Sequence, residues 1–214
     1  MKPSTPPPSN APGLLIAFEG IDGTGKSSQI RLLAATLRGQ GVAVVATREP
    51  TDGEYGRRIR ALYVQRDTVS REEELALFVA DRRQHVAQVI MPALAAARVV
   101  LTDRYYYSTA AYQGANGLDF EDILRQNEAF APRPDLVLLL RIPVAEGLRR
   151  IRMNRGESPD TFEGEDYLAR VVAVYDRLAG ANIVRIDGLG SVDEVQARVL
   201  AAVRPLLAGR GPGV

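Results

Sequence analysis

The amino-acid sequence predicts an α/β fold with a parallel sheet, and three observations support this. Five short apolar runs read as strands, and segments with the apolar spacing of helices separate them. The runs are apolar at most successive positions instead of alternating, which is typical of parallel strands covered by helices on both faces. The predicted strands are Leu14–Glu19, Val42–Ala46, Val99–Thr102, Leu136–Leu140 and Ile183–Ile186.

Helical patterns lie between the predicted strands. Ser27–Gly39 has helical spacing and is followed by Gly41, a residue typical of a helix end. A long pattern over Arg71–Ala97 contains Pro92, where we expect a kink. The polar, arginine-rich stretch Arg149–Glu165 contains glycine and proline, which indicates a mobile loop. The other predicted helices are Glu54–Val64, Tyr106–Gly114, Asp119–Ala129, Val144–Met153, Glu165–Leu178 and Val192–Leu207.

Length and local composition predict one folded domain over residues 13–208. A chain of 214 residues fits a single domain of this class. Residues 1–12 are rich in proline and predict a disordered tail, and residues 209–214 predict a frayed end. The sequence has no cysteine and a single histidine, His85, for which no role is predicted. This composition excludes disulfides, thiolate metal sites and cysteine nucleophiles.

Charge and hydropathy limit the expected partners. The net charge of +1 gives no global footprint for nucleic-acid binding, although three consecutive tyrosines at 105–107 could stack on bases. No apolar run approaches the roughly 20 residues that a membrane helix needs. We therefore expect neither nucleic acid nor membrane as a partner. A cytoplasmic location is expected because the N-terminus lacks an apolar signal core.

One motif carries the clearest chemical signal. The run GIDGTGKS at residues 20–27 matches G-x-x-x-x-G-K-[ST] directly after a predicted strand and opens a predicted helix. Backbone N–H groups and the helix N-terminus suit nucleotide phosphates there. Lys26 is expected to reach the β- and γ-phosphates of ATP, and Ser27 to offer a hydroxyl to Mg²⁺. The predicted ATP-binding residues are Gly20, Ile21, Asp22, Gly23, Thr24, Gly25, Lys26, Ser27 and Ser28.

Features that the sequence lacks narrow the class of phosphate-loop protein. There is no Asn-Lys-x-Asp guanine-recognition motif, so a GTPase switch is disfavoured. The chain is also short for a motor or helicase domain. An arginine-rich mobile loop suits transfer to a small acceptor, because arginines that close over the phosphates exclude water.

Further polar segments are expected near the phosphate loop, since ligands of such sheets bind beyond the carboxyl ends of the strands. Arg48 and Arg104 suit an acceptor phosphate, although a surface ion pair would explain either residue. Phe78 and Arg82 share a helix face and could stack on a pyrimidine and donate to its carbonyl; a core phenylalanine beside an exposed arginine is the alternative. The segments are TREP (47–50), FVADR (78–82), DRY (103–105), STAAYQG (108–114) and DTFE (160–163).

In combination these segments resemble the thymidylate kinase family, whose bacterial members phosphorylate thymidine 5′-monophosphate (dTMP) with ATP. The resemblance runs from about Leu14 to Leu207 and rests on FEGIDGTGKS, TREP, FxADR, DRYxxSxxAYQ and DxFE in this order and spacing. It implies a P-loop kinase fold with a five-stranded parallel sheet, a mobile lid at about residues 149–165, and a homodimer.

The resemblance also implies residue roles. Asp22 would contact the sugar 3′-hydroxyl or orient the acceptor, unless it only stabilises the loop. Asp103 would help Ser27 to hold Mg²⁺, unless it only pairs with Arg104. Tyr112 would crowd a ribose 2′-hydroxyl, although packing would also explain a tyrosine there. The implied acceptor-binding residues are Asp22, Arg48, Glu49, Phe78, Arg82, Arg104, Ser108, Thr109, Tyr112, Gln113 and Glu163.

The source of the catalytic arginine divides the family. Some members carry it in the phosphate loop at the position of Gly23, and others supply it from the lid. This chain is similar to the lid-arginine type, with Arg152 the first candidate because a helix-borne side chain is better preorganised. Thr161 stands where many members of that type carry an arginine. The implied catalytic residues are Lys26, Asp22, Arg149, Arg152 and Arg155.

The sequence thus predicts an enzyme that transfers a phosphoryl group from Mg²⁺–ATP to dTMP, a step of dTTP synthesis. Two alternatives stay open. A kinase for another nucleoside monophosphate would turn over UMP, CMP or AMP better than dTMP. A non-catalytic, ATP-dependent switch would bind ATP without any acceptor-dependent release of ADP.

Overall fold

The computed structural model describes residues 13–63, 69–155 and 164–208, with the backbone alone at residues 154 and 155. The predicted tails and residues 156–163 of the predicted lid lie outside the described residues. The strands are β1 (Leu14–Glu19), β2 (Val44–Arg48), β3 (Val99–Asp103), β4 (Leu136–Arg141) and β5 (Ile183–Asp187). The helices are α1 (Lys26–Gly39), α2 (Glu54–Leu62), α3 (Arg71–His85), a π-helical turn (Val86–Ile90), α4 (Met91–Ala95), α5 (Tyr106–Ala115), α6 (Phe120–Glu128), α7 (Val144–Arg155), α8 (Glu165–Asp176) and α9 (Val192–Leu207).

The five strands form one parallel sheet with the order β2-β3-β1-β4-β5. This confirms the predicted α/β class and the five-stranded parallel sheet. The central strand, β1, pairs with β3 so that Phe18 lies opposite Asp103, and with β4 so that Glu19 lies opposite Leu139. All carboxyl ends therefore face one edge of the sheet, and the loops that follow β1, β2 and β3 meet there.

Helices cover both faces of the sheet, which explains why its three central strands are apolar at most positions. Leu15 and Ala17 of β1 point into a core formed with α5, α8 and the π-helical turn. Leu14, Ile16 and Phe18 point to the opposite face, where α1 and α9 pack. Within the described ranges, the helices are all too short or too polar to cross a membrane.

The second strand begins two residues later than predicted. The sequence predicted Val42–Ala46, and the structure places β2 at Val44–Arg48. The N–H of Val42 donates to the carbonyl of Leu37, 3.0 Å away, so this residue still belongs to the turn that closes α1. Apolar character alone could not separate this turn from the strand that follows it.

The long helical pattern over 71–97 is interrupted, but the break begins before Pro92. Helix α3 ends at His85, a single π-helical turn follows, and α4 begins at Met91. Proline has no N–H to donate to the carbonyl four residues earlier, and its ring crowds that carbonyl. A wider turn ahead of the proline relieves the crowding, and such turns are common near functional sites.

Helix α7 confirms the predicted helix Val144–Met153 and extends it to Arg155, so the overlapping prediction of a loop from residue 149 onward is wrong for residues 149–155. Helix α7 runs through Arg155 because Leu148 and Ile151, three residues apart, are both buried. Glycine and proline mark the segment from residue 156 onward, and the sequence interpretation extended their effect too far toward the N-terminus.

We expect Leu33→Ala to destabilise the fold by about 2–5 kcal/mol, because Leu33 of α1 is fully buried against the sheet and truncation leaves a cavity. Urea denaturation at equilibrium measures this. Leu189→Ala is the matched control because Leu189 is 41% exposed, and its midpoint should stay at the wild-type value. Equal midpoints for the two variants would contradict this account of the core.

Candidate active site

The phosphate loop turns between β1 and α1 around the ammonium group of Lys26. Its Nζ donates to the carbonyls of Gly20 and Ile21, at 3.0 and 2.9 Å. Burial, together with the nearby positive charge of Arg104, lowers the pKa of Lys26 to about 8. Gly20 has a φ of +128°, and a Cβ there would lie 2.3 Å from the carbonyl oxygen of Leu140. The tight turn therefore requires glycine at this position.

The tip of the loop packs against α7. Gly23 has a φ of +80°, and a Cβ there would lie 2.5 Å from the carbonyl oxygen of Gly147. Arg150, also on α7, donates to the carbonyl of Gly188 at 3.2 Å and approaches that of Gly23 at 3.4 Å. This packing leaves no room for a side chain at position 23 in the described arrangement.

Two oxygen atoms of the predicted metal site lie side by side. The hydroxyl of Ser27 donates to Oδ2 of Asp103 at 2.5 Å, where the end of β3 meets the start of α1. Hydroxyl and carboxylate oxygens are ligands that Mg²⁺ accepts, usually in company with water and substrate phosphates. No group of three or more acidic or histidine side chains suited to a metal occurs in the described part of the chain. The pair therefore fits a metal shared with nucleotide phosphates.

Arg104 links the phosphate loop to α5. Its guanidinium donates to Asp22 at 2.9 Å, to Ser108 at 3.0 Å and to the hydroxyl of Tyr112 at 3.2 Å. The backbone of Arg104 has a φ of +68°, an uncommon conformation for a residue with a side chain and one that recurs at active sites. The structure thus brings together four of the predicted acceptor-binding residues.

Arg82 is held by a buried set of partners. Its Nε and one terminal nitrogen donate to Glu49 at 2.9 and 2.6 Å, and it also donates to Asn127 and Thr109. His85 contacts the other oxygen of Glu49 at 2.9 Å. Burial by itself raises the pKa of Glu49, but Arg82 and His85 outweigh it and hold that pKa below its usual value. Glu49 is therefore the counter-ion that fixes Arg82 in place.

A single cavity of about 610 Å³ joins these groups. It extends from the phosphate loop and Asp103 past Arg104 to Phe78, Arg82 and Gln113. Gln113 is 1% exposed, and its amide nitrogen and oxygen both lack a hydrogen-bond partner among the described residues. An amide left unsatisfied in this way costs stability unless a ligand or water satisfies it.

The arginines at 48, 149, 152 and 155 and Glu163 are also predicted for the site, and none of the contacts just described involves them. Arg48 lines the cavity, but its guanidinium lies 2.6 Å from Asp52 in an exposed ion pair. Arg149 is likewise exposed and pairs with Glu146, and Arg152 is exposed on α7. Arg155 is the last residue of α7, and Glu163 lies outside the described residues.

Sequence reasoning missed four residues of this site. The sequence predicts no role for His85, Arg150, Asn127 or Glu19. The one available signal was Glu19, an acidic residue in an otherwise apolar strand. The other three reach the site through contacts with residues 36 to 127 positions away, which no local pattern reveals.

Comparison with known proteins shows the family to which the chain belongs. Residues 18–199 match the sequence model of the thymidylate kinase family. A thymidylate kinase of Desulfotalea psychrophila is 52% identical over 93% of this chain and 98% of its own length. One from Akkermansia muciniphila is 49% identical over 89% and 91%, and one from Xanthomonas euvesicatoria is 43% identical over 94% and 88%. The chain belongs to the thymidylate kinase family.

Proposed function

We propose that this protein transfers the γ-phosphoryl group of ATP to dTMP. The observation that carries the proposal is the single cavity that joins the phosphate loop to the Arg82 and Gln113 side chains. A switch protein needs a nucleotide site alone, whereas a transferase needs donor and acceptor in one space with their phosphates facing each other. The names of the relatives support dTMP as the acceptor.

The acceptor end of the cavity suits a pyrimidine. The amide of Gln113 offers a donor beside an acceptor, which complements the N3–H and the neighbouring carbonyl of a thymine ring. Arg82 offers a guanidinium that Glu49 already fixes, so little orientational freedom is lost when a base carbonyl binds. Phe78 lines the same end and presents an aromatic face for stacking.

The transfer itself needs no covalent enzyme intermediate. An oxygen of the acceptor phosphate forms the new bond to the γ-phosphorus, and the bond from that phosphorus to the β–γ bridging oxygen breaks to release ADP. Arg104, with Arg48 at the rim, holds the acceptor phosphate, while Lys26 holds the donor. A Mg²⁺ ion on Ser27 and Asp103 would neutralise charge on the β- and γ-phosphates. Catalysis then consists of positioning and charge compensation.

A further arginine is proposed to come from the segment between Arg149 and Arg155, as in the lid-arginine type. The packing of Gly23 against Gly147 supports this, because it leaves the phosphate loop no space for an arginine at that position. The arginines of α7 lie at the end of the helix that leads into residues 156–163.

In a coupled assay of ADP release, we expect dTMP to be preferred over UMP, CMP, AMP and GMP. The crowding by Tyr112 and the fit of Gln113 give the physical reason. Equal turnover of UMP would favour the alternative nucleoside monophosphate kinase. ATP binding with no acceptor-dependent ADP release would favour the switch protein.

Gln113→Leu should raise the KM for dTMP by roughly tenfold, because leucine has a similar volume and removes both polar contacts to the base. Steady-state kinetics at saturating ATP measures this. Gln126→Leu is the control, since Gln126 is exposed on α6 away from the cavity. An unchanged KM in the Gln113 variant would contradict the proposal that Gln113 recognises the base.

Replacing Arg149, Arg152 and Arg155 together by alanine should lower kcat by about 10³-fold or more, with the KM for dTMP nearly unchanged, because such an arginine acts mainly in the transition state. Single-turnover rates of the triple and single variants test this. Arg125→Ala, an exposed ion-pair change on α6, is the control. If the triple variant stays within about threefold of wild type, the arginine lies elsewhere, and Arg150 becomes the next variant to test.

We further propose a cytoplasmic homodimer, on the strength of family membership. Sedimentation equilibrium should give twice the 23.3 kDa mass of the chain. A mass of one chain at micromolar concentration would contradict the dimer.

A further inference from the structure

Glu19 is a buried acid that the proposed transfer does not use. It is the last residue of β1, directly before the phosphate loop, and its exposure is 0%. One carboxyl oxygen accepts from the backbone N–H of Tyr105 at 2.9 Å. The other lies within hydrogen-bond distance of the hydroxyls of Ser108 and Tyr175, on α5 and α8. The acid thus joins the phosphate loop to two helices of the site.

The number of protons available for hydrogen bonds around Glu19 indicates whether this acid is ionised or neutral. The second oxygen of Glu19, Oγ of Ser108 and the hydroxyl oxygen of Tyr175 form a triangle in which every pair is in contact, with Ser108 and Tyr175 2.9 Å apart. If Glu19 is ionised, the two hydroxyls supply two protons for three contacts. A neutral Glu19 supplies the third proton, so that each oxygen donates to the next. The geometry is complete only for the neutral acid.

Once phosphates bind, the charges around Glu19 also favour its neutral form. Arg104 donates to Ser108, and Lys26 and Arg104 are the cations that act on Glu19, while Asp22 and Asp103 offset them near Lys26. Burial raises the pKa of Glu19 from its usual 4.5 to about 7, although Ser108 and Arg104 oppose the shift. Phosphate anions at the two cations would oppose a negative charge on Glu19 still further.

We propose that Glu19 is a positioning residue that takes up a proton when phosphate anions bind at Arg104 and Lys26, and whose neutral form aligns Arg104 through Ser108. In the ring that the neutral acid completes, the Ser108 hydroxyl donates once and accepts once, which leaves one of its lone pairs for Arg104. The neutral acid also removes an anion that would compete with the acceptor phosphate for that guanidinium. The proposal rests on the proposed function, in which Arg104 receives the phosphate of dTMP.

Proton uptake and acceptor affinity are then linked, and linkage is reciprocal. As pH rises through 7, free protein loses the proton and must regain it to bind. The fraction of competent protein falls from about one half at pH 7 to about one tenth at pH 8, so the KM for dTMP should rise roughly fivefold. The kcat value should stay level, because the bound form keeps its proton. Above pH 7 the phosphate of dTMP is mostly a dianion and adds little to this dependence.

The first test uses wild-type protein without any substrate turnover. Carbon-13 labelling of glutamate carboxyl groups and NMR titration should show one carboxyl with a midpoint near 7. Saturating ADP and dTMP should move this midpoint upward. Glu19→Gln should remove that signal and Glu121→Gln, a matched change on the exposed face of α6, should leave it. A midpoint below 5 for every glutamate, or a midpoint that ligands leave unchanged, would overturn the proposal.

The second test is kinetic and separates positioning from a merely structural role. The amide of Glu19→Gln donates to both hydroxyls at every pH, so its KM for dTMP should be nearly constant from pH 7 to 8, whereas wild type and Glu121→Gln should rise roughly fivefold. A Glu19→Gln profile that matches wild type would overturn the proposal. The pKa of Lys26 is about 8, and Glu19 helps to raise it. The KM for ATP is therefore measured beside that for dTMP, because a changed titration of Lys26 in Glu19→Gln would appear there.

The two tests keep the inference distinct from the proposed function. If dTMP is not the acceptor, ADP release fails with dTMP while the NMR midpoint near 7 persists and still moves with ADP. If the inference about Glu19 is wrong, dTMP is turned over and no glutamate carboxyl shows a titration midpoint near 7 that ligands move. If Glu19→Gln does not fold, the wild-type titration still tests the proposal, because burial raises the pKa of Glu19 whereas the pKa values of Glu49, Glu73, Glu146 and Glu194 are lowered.

Discussion

The central place of β1 in a parallel sheet is the constraint on which the whole site depends. Because β1 lies between β3 and β4, the turn after it opens at the middle of the carboxyl edge. The register with β3 then sets Ser27 beside Asp103, and the residue after β3, Arg104, reaches back to Asp22 in the turn. A strand order that separated β1 from β3 would separate Ser27 from Asp103 and Asp22 from Arg104.

A second feature of the site is that its buried positive charges are compensated by nearby groups. Lys26, Arg82 and Arg104 converge on one cavity, and low exposure makes an unpaired charge costly. Glu49 offsets Arg82 and Asp22 offsets Arg104, while Lys26 is held by backbone carbonyls. These partners preorganise the cations before substrate arrives, which is how fixed charges stabilise developing charge without reorganisation. They also make the charge balance of the site sensitive to the anions that enter it.

Helices α7 and α8 connect this site to the segment between them. Arg150 of α7 touches the phosphate loop and the turn after β5, and Tyr167 and Tyr175 of α8 bond to residues of α5 and β1. Helices α7 and α8 thus both contact groups around the cavity.

Local pattern determined much of this protein from sequence alone. The phosphate loop, the parallel α/β class and the grouping of Asp22, Arg104, Ser108 and Tyr112 follow from motifs whose chemistry acts within a turn or at a strand end. Tertiary structure alone decided which cations are paired, that His85 supports Glu49, that α7 continues to Arg155, and that Glu19 shares three contacts with residues up to 156 positions away. The physical reason is that pairing and protonation depend on burial and on partners distant in sequence, whereas a motif records only its own neighbourhood.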